Sequence, residues 1–168
     1  LNGLKNKLMG NLIQIYGLPR SGTNFMEWTI LNNFSGVAYE NKYEKCDTVG
    51  LREFGKNNAV KHSYPTMDNS KYTLVIYKSY EEWVESMSRG YGNKQSRGPA
   101  TIDTYDEYLK RANDLPKDKS IVIKFTDAYN NYEELVKRIG EMIGVEPNDK
   151  IIRPENRLDG GGAKVKQT

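Results

Sequence analysis

The sequence predicts an α/β protein with a central parallel β-sheet flanked by helices. Three short apolar runs, at 12–16, 72–77 and 120–125, read as continuous strands rather than half-buried alternating ones. Helix-period segments separate and follow them, and strands alternating with helices are the mark of a parallel sheet covered on both faces. In such sheets ligands bind beyond the carboxyl ends of the strands, so candidate residues are sought just after each one.

The run at 12–16 stops at Gly17, and a helix is expected over 23–33. Phe25, Met26, Trp28, Ile30, Leu31 and Phe34 cover most of that helix's circumference, which predicts burial on several sides. A short strand is expected at 58–61. After the strand at 72–77, Ser79-Tyr80-Glu81-Glu82 carries the S-x-x-E spacing of a capping box. Tyr80, Trp83, Val84 and Met87 then form one apolar stripe at helical spacing. Helical periodicity is also expected over 101–113. The strand at 120–125 precedes a last helix marked by Tyr132, Leu135, Val136, Ile139, Met142 and Ile143, with Gly144 as its stop.

The 168 residues predict one domain, 1–168, with 155–168 either a flexible tail or a loop over a cofactor. A chain of this length buries roughly 70% of its unfolded surface and needs no staple. Cys46 is the single cysteine, so an internal disulfide is excluded, which fits a reducing compartment. A net charge of +3 with acidic and basic residues intermingled argues against a nucleic-acid partner. No apolar run approaches the roughly 18 residues of a membrane span, and the first residues lack a signal-peptide core. A cytoplasmic protein is expected.

The chemistry-bearing segment is Gly17-Leu18-Pro19-Arg20-Ser21-Gly22-Thr23, between a strand and a helix. Backbone N–H groups and a helix N-terminus converge in such a turn, an anion site that phosphate commonly fills. Gly17 and Gly22 have the G-x-x-x-x-G spacing of a P-loop. Thr23 and Asn24 stand where a nucleotide triphosphatase has Lys and then Ser or Thr. The cation lies inside the loop, at Arg20, which suits a 5′-phosphate bearing one further anionic group with no obligatory metal.

This segment resembles the 5′-phosphosulfate loop of the sulfotransferase family, usually P-[KR]-S-G-T. The resemblance implies a P-loop NTPase-like sulfotransferase fold and 3′-phosphoadenosine 5′-phosphosulfate as sulfuryl donor, with adenosine 3′,5′-bisphosphate as product. It implies that Pro19, Arg20, Ser21, Gly22, Thr23 and Asn24 bind the donor, Arg20 at the bridging and sulfuryl oxygens. The family holds the 3′-phosphate with a strand-end Arg and a Ser eight residues on; here Lys78 and Ser86 have that spacing. Lys is a point charge that cannot grip phosphate in bidentate fashion, and Arg89, one turn on, is placed to compensate. Val60-Lys61-His62-Ser63-Tyr64-Pro65 is similar to the family segment whose His takes the acceptor proton, which implies His62 as general base.

The tail carrying Arg157, Gly160, Gly161 and Lys164 is similar to the family's R-K-G-x-x-G-x-x-K loop, with imperfect spacing, and implies Arg157 and Lys164 near the adenosine end. Thr126 departs from the Glu usual after the third strand. The segment 91–100 is the one obvious place for a lid or acceptor loop. The acceptor itself stays open: a glycan hydroxyl, a tyrosine, or a small alcohol or phenol. Two other classes compete, a P-loop small-molecule kinase and a non-catalytic nucleotide-binding domain. The kinase needs the Lys after Gly22 and a magnesium ligand.

Overall fold

A computed structural model describes residues 13–35, 38–40, 45–47, 64–66, 72–89 and 100–154. The elements are β1 (Ile13–Tyr16), α1 (Thr23–Asn33), β2 (Ala38–Glu40), β3 (Lys45–Asp47), β4 (Tyr72–Tyr77), α2 (Tyr80–Ser88), α3 (Ile102–Asn113), β5 (Ser120–Lys124), α4 (Phe125–Asn130) and α5 (Tyr132–Ile143). The strands form one sheet in the order β3-β2-β1-β4-β5. β2, β1, β4 and β5 run parallel, and β3 pairs antiparallel with β2 at the edge.

The predicted parallel sheet with helices around it is what forms. β2 and β3 were not anticipated, because three-residue segments are too short to show a period. The strand expected at 58–61 lies outside the described residues. The third strand ends one residue earlier than predicted. Lys124 pairs with Tyr77, the last residue of β4, so Phe125 has no ladder to join. It starts α4 instead and is buried there with Ala128.

Side chains alternate along the strands and sort into two cores. Ile13, Ile15, Leu74, Ile76 and Ile121 pack with α1, α4 and α5 on one face. Tyr16 and Val75 pack with Trp83 of α2 and with Tyr105, Tyr108 and Ala112 of α3 on the other. α1 is buried all round except at Asn24. Its polar residues turn inward on its own backbone: Thr29 Oγ1 donates to the Phe25 carbonyl at 2.8 Å and Asn32 Nδ2 to that of Trp28 at 2.8 Å.

Asn33 closes α1 against the C-terminal segment. Its amide nitrogen donates to Tyr132 Oη at 2.9 Å and to the Ile152 carbonyl at 3.0 Å, and its oxygen accepts from the Ile152 N–H at 2.7 Å. Asn148 N–H also donates to the Asn33 carbonyl at 2.8 Å. A buried amide satisfied on both sides in this way fixes where that segment sits.

Two buried phenols, one in each core, make the fold sensitive to alkali. Burial pushes Tyr132 up to about 12, against smaller downward pulls from its hydrogen bonds with Thr29 and Asn33 and from Arg153. Burial, with a smaller contribution from Tyr16, raises Tyr108 too. Unfolded phenols ionise near 10. Above about pH 10 the unfolded chain therefore releases protons that the folded one keeps, and stability present below that pH is lost as pH rises. The expected slope is about 1.4 kcal/mol per pH unit for each tyrosine. Tyr108→Phe should remove one share at little cost near neutrality, because Tyr108 Oη is buried with no hydrogen-bond partner among the described residues. Urea midpoints at pH 8 and at about pH 11 check this; parallel losses in parent and variant would overturn it.

Candidate anion-binding site at the sheet switch point

The chain leaves β1 for β2 on one side and returns to β4 on the other. Strand order thus reverses beside β1, and the crevice between the carboxyl ends of β1 and β4 is where open α/β sheets take their ligands. The segment from Gly17 to Gly22 follows β1, and Lys78 follows β4. Two of the segments singled out from the sequence therefore flank one crevice.

The loop is pressed tightly onto its neighbours. A Cβ on Gly17 would lie 2.7 Å from Thr23 Cγ2 and 2.9 Å from the Ile76 carbonyl oxygen, so the chain turns back directly beside β4. The Ser21 N–H donates to the Leu18 carbonyl at 3.1 Å and closes a turn. Arg20, inside that turn, has φ 69°, a left-handed backbone rarely adopted by a side-chain-bearing residue. Such a conformation persists where its surroundings impose it. Here the Trp83 indole N–H donates to the Pro19 carbonyl at 2.9 Å, from α2.

Gly22 ends the loop at φ 104° and caps α1 with no side-chain hydrogen bond. An α-helix leaves its first N–H groups outside its own ladder. No acidic residue in the first turn offsets the positive end of the dipole. Ser21 Oγ is buried beside it with no hydrogen-bond partner among the described residues.

On the other side of the crevice, Lys78 Nζ donates to Ser86 Oγ at 3.1 Å. Ser79 Oγ accepts from the Glu82 N–H at 3.3 Å, which starts α2 where the capping-box spacing predicts. The stripe of α2 then faces the core, with Trp83 and Ser86 buried. Tyr105 Oη of α3 donates to the Lys78 carbonyl at 2.8 Å. Burial first, then electrostatic interaction with the Tyr77 phenol and with the carboxylates of Glu81, Asp106 and Glu82, raises the Tyr105 phenol.

Phe125 joins the two sides. Its ring would sit 2.5 Å from a Cβ on Gly22, and Lys78 Nζ lies 5.3 Å from its centroid. Arg89, offered as a second cation, is exposed at the C-terminal end of α2.

Pro19, Arg20, Ser21, Gly22, Thr23 and Asn24 thus lie on one side of the crevice, with Lys78 and Ser86 on the other. His62, Lys61, Arg157, Gly160, Gly161, Lys164 and the stretch 90–99 lie outside the described residues. The segment just after His62 is described. Thr66 Oγ1 hydrogen-bonds Tyr16 Oη at 3.3 Å, and the Tyr64 ring packs on Tyr108 at 5.7 Å and under the Arg111 guanidinium at 4.1 Å.

Trp83, Tyr105 and Phe125 were missed as site residues. The sequence places Trp83 in an apolar stripe. Its buried N–H, which needs an acceptor, was the available signal. Tyr105 and Phe125 carried none.

Among the described residues no group of three or more His, Cys, Asp or Glu is placed to hold a metal, and no helix is long and apolar enough to cross a membrane. No family model, curated protein or solved structure matches the chain.

Proposed function

We propose that this chain is a sulfotransferase of P-loop-like fold, moving a sulfuryl group from 3′-phosphoadenosine 5′-phosphosulfate to an acceptor hydroxyl in the cytoplasm. The observation that carries the reading is the hydrogen bond from Lys78 to Ser86. Their sequence spacing matches a 3′-phosphate site, and in the fold they meet across the crevice from a loop that suits a 5′-phosphate. A mononucleotide with phosphates at both ends of its ribose needs two such cationic segments.

The residues fit the donor. Buried Ser21 Oγ has hydrogen-bonding capacity that no described residue uses, and the α1 terminus favours an anion. In this reading the loop amides, Ser21, Thr23 and Asn24 hold the 5′-phosphate. Arg20 balances the charge that grows on the bridging oxygen as the bond to sulfur breaks. Lys78 and Ser86 hold the 3′-phosphate. His62 takes the acceptor proton as the acceptor oxygen bonds to sulfur. The donor supplies the activated sulfuryl group, and adenosine 3′,5′-bisphosphate leaves with the bonding pair. Placement and fixed charge do most of the work in a loose transition state of this kind.

Adenosine 3′,5′-bisphosphate should raise the melting temperature with no magnesium present. Ligand at a hundred times its Kd stabilises by about 2.7 kcal/mol, a shift of several degrees. ATP at the same concentration should do much less, since Thr23 stands where the triphosphate-reaching Lys would be. Equal responses to the two nucleotides, or an ATP response that needs magnesium, would replace the reading with a kinase-like one.

A further inference from the structure

We infer that Trp83 and Tyr105 are positioning residues: a stacked aromatic pair that holds the two anion-binding segments at a fixed separation and so sets selectivity for a bisphosphorylated nucleotide. This rests on the nucleotide reading above. The two rings stack at 5.9 Å with 28° between their planes, and Tyr80 packs on both, 6.4 Å from Trp83 and 5.5 Å from Tyr105. Trp83 is 2% exposed and Tyr105 9%, so neither is shaped by solvent.

Each ring sends its one polar hydrogen to a backbone carbonyl in a different segment. The Trp83 N–H reaches Pro19, the residue before left-handed Arg20. The Tyr105 hydroxyl reaches Lys78. Indole is a donor only, so it holds that carbonyl in a single sense. The Pro19–Arg20 peptide is thereby oriented from α2. Lys78 is fixed at its carbonyl by Tyr105 and at its ammonium by Ser86.

Trp83 and Ser86 stand three residues apart on the buried side of α2. One helix thus grips the loop with the first and the lysine with the second, while the stack ties Tyr105 to both. Two phosphates on one ribose have a set separation. A scaffold that fixes the distance between the segments discriminates by that separation, where a pair of independent cationic patches would not.

Trp83→Phe keeps a ring in the stack and removes the N–H. Tyr105→Phe removes only the hydroxyl. Calorimetric titration with adenosine 3′,5′-bisphosphate, adenosine 5′-monophosphate and inorganic pyrophosphate separates their roles. Trp83→Phe should weaken all three by about threefold to tenfold, the effect of one net hydrogen bond. Tyr105→Phe should weaken the bisphosphate by a similar factor and leave the other two within about twofold. A general loosening of the fold would weaken all three in both variants and would overturn the inference, as would unchanged pyrophosphate binding in Trp83→Phe. Melting temperatures of the free proteins show whether either variant is simply unfolding. Failure of the nucleotide reading looks different: the unsubstituted chain would bind pyrophosphate but show no preference for the bisphosphate over the monophosphate. In that case a loss in Trp83→Phe would still support its hold on the loop, and Tyr105 would lose its assigned role.

Discussion

Gly22→Ala should destabilise the protein by about 3 kcal/mol or more and, in the nucleotide reading proposed above, abolish anion binding at the loop. Two independent costs fall on one methyl group. The backbone there is left-handed, φ 104°, which is unfavourable for any residue with a Cβ. The new Cβ would also lie 2.5 Å from Phe125 Cδ2, 3.0 Å from its Cε2 and 3.2 Å from Ile76 Cδ1. Phe125 cannot easily yield, because it is buried edge-on against Phe25 at 5.2 Å. Relief must come from the loop, which would shift the α1 terminus and, in the proposed reading, misplace its amides for the 5′-phosphate.

Gly144 provides the control. It is also left-handed, φ 71°, but nothing lies within 4 Å of a Cβ placed there. Gly144→Ala should show the backbone cost alone, about 1 kcal/mol. Denaturant unfolding of the two variants measures the difference. Equal losses would mean that the contact with Phe125 is of no consequence.

In the proposed reading, His62→Ala should lower turnover by about two to four orders of magnitude, the usual contribution of a general base. Binding of adenosine 3′,5′-bisphosphate should stay within about twofold, since that reading assigns the proton and the phosphates to different residues. The sequence around His62 resembles the family segment whose His takes the acceptor proton, and the chain just after it reaches the loop's strand. Thr66 is tied to Tyr16, the last residue of the strand that leads into the loop. Loss of binding and turnover together would make His62 a structural residue, and unchanged turnover would place the base elsewhere.

How far the sequence could be read depended on whether a feature was local. α1, β4, α2 and α5 formed within a residue of expectation because each carries its own period and its own start or stop: Gly22, Ser79 and Gly144 mark ends by backbone or cap chemistry. Lys78 and Ser86 are singled out by the resemblance to the family's strand-end cation and the Ser eight residues on, and in the fold the two side chains meet in a hydrogen bond. Phe125 was misplaced because the end of β5 depends on where β4 runs out, a fact written in a different part of the chain. The Trp83–Pro19 and Tyr105–Lys78 contacts join residues 64 and 27 positions apart, and no pattern within a window shows them. Hydrophobic spacing assigned both aromatics to a core, and their polar hydrogens gave them a second use.

The hold of Asn33 on the C-terminal segment has a consequence for how the chain is made. Its partners at Ile152 are 119 positions downstream, and β1 in the middle of the sheet waits for β4 before its second edge is covered. A nascent chain emerging from the ribosome therefore exposes α1, which the finished fold buries almost all round, long before its last partner is synthesised. Contacts this distant along the polymer favour slow, late closure.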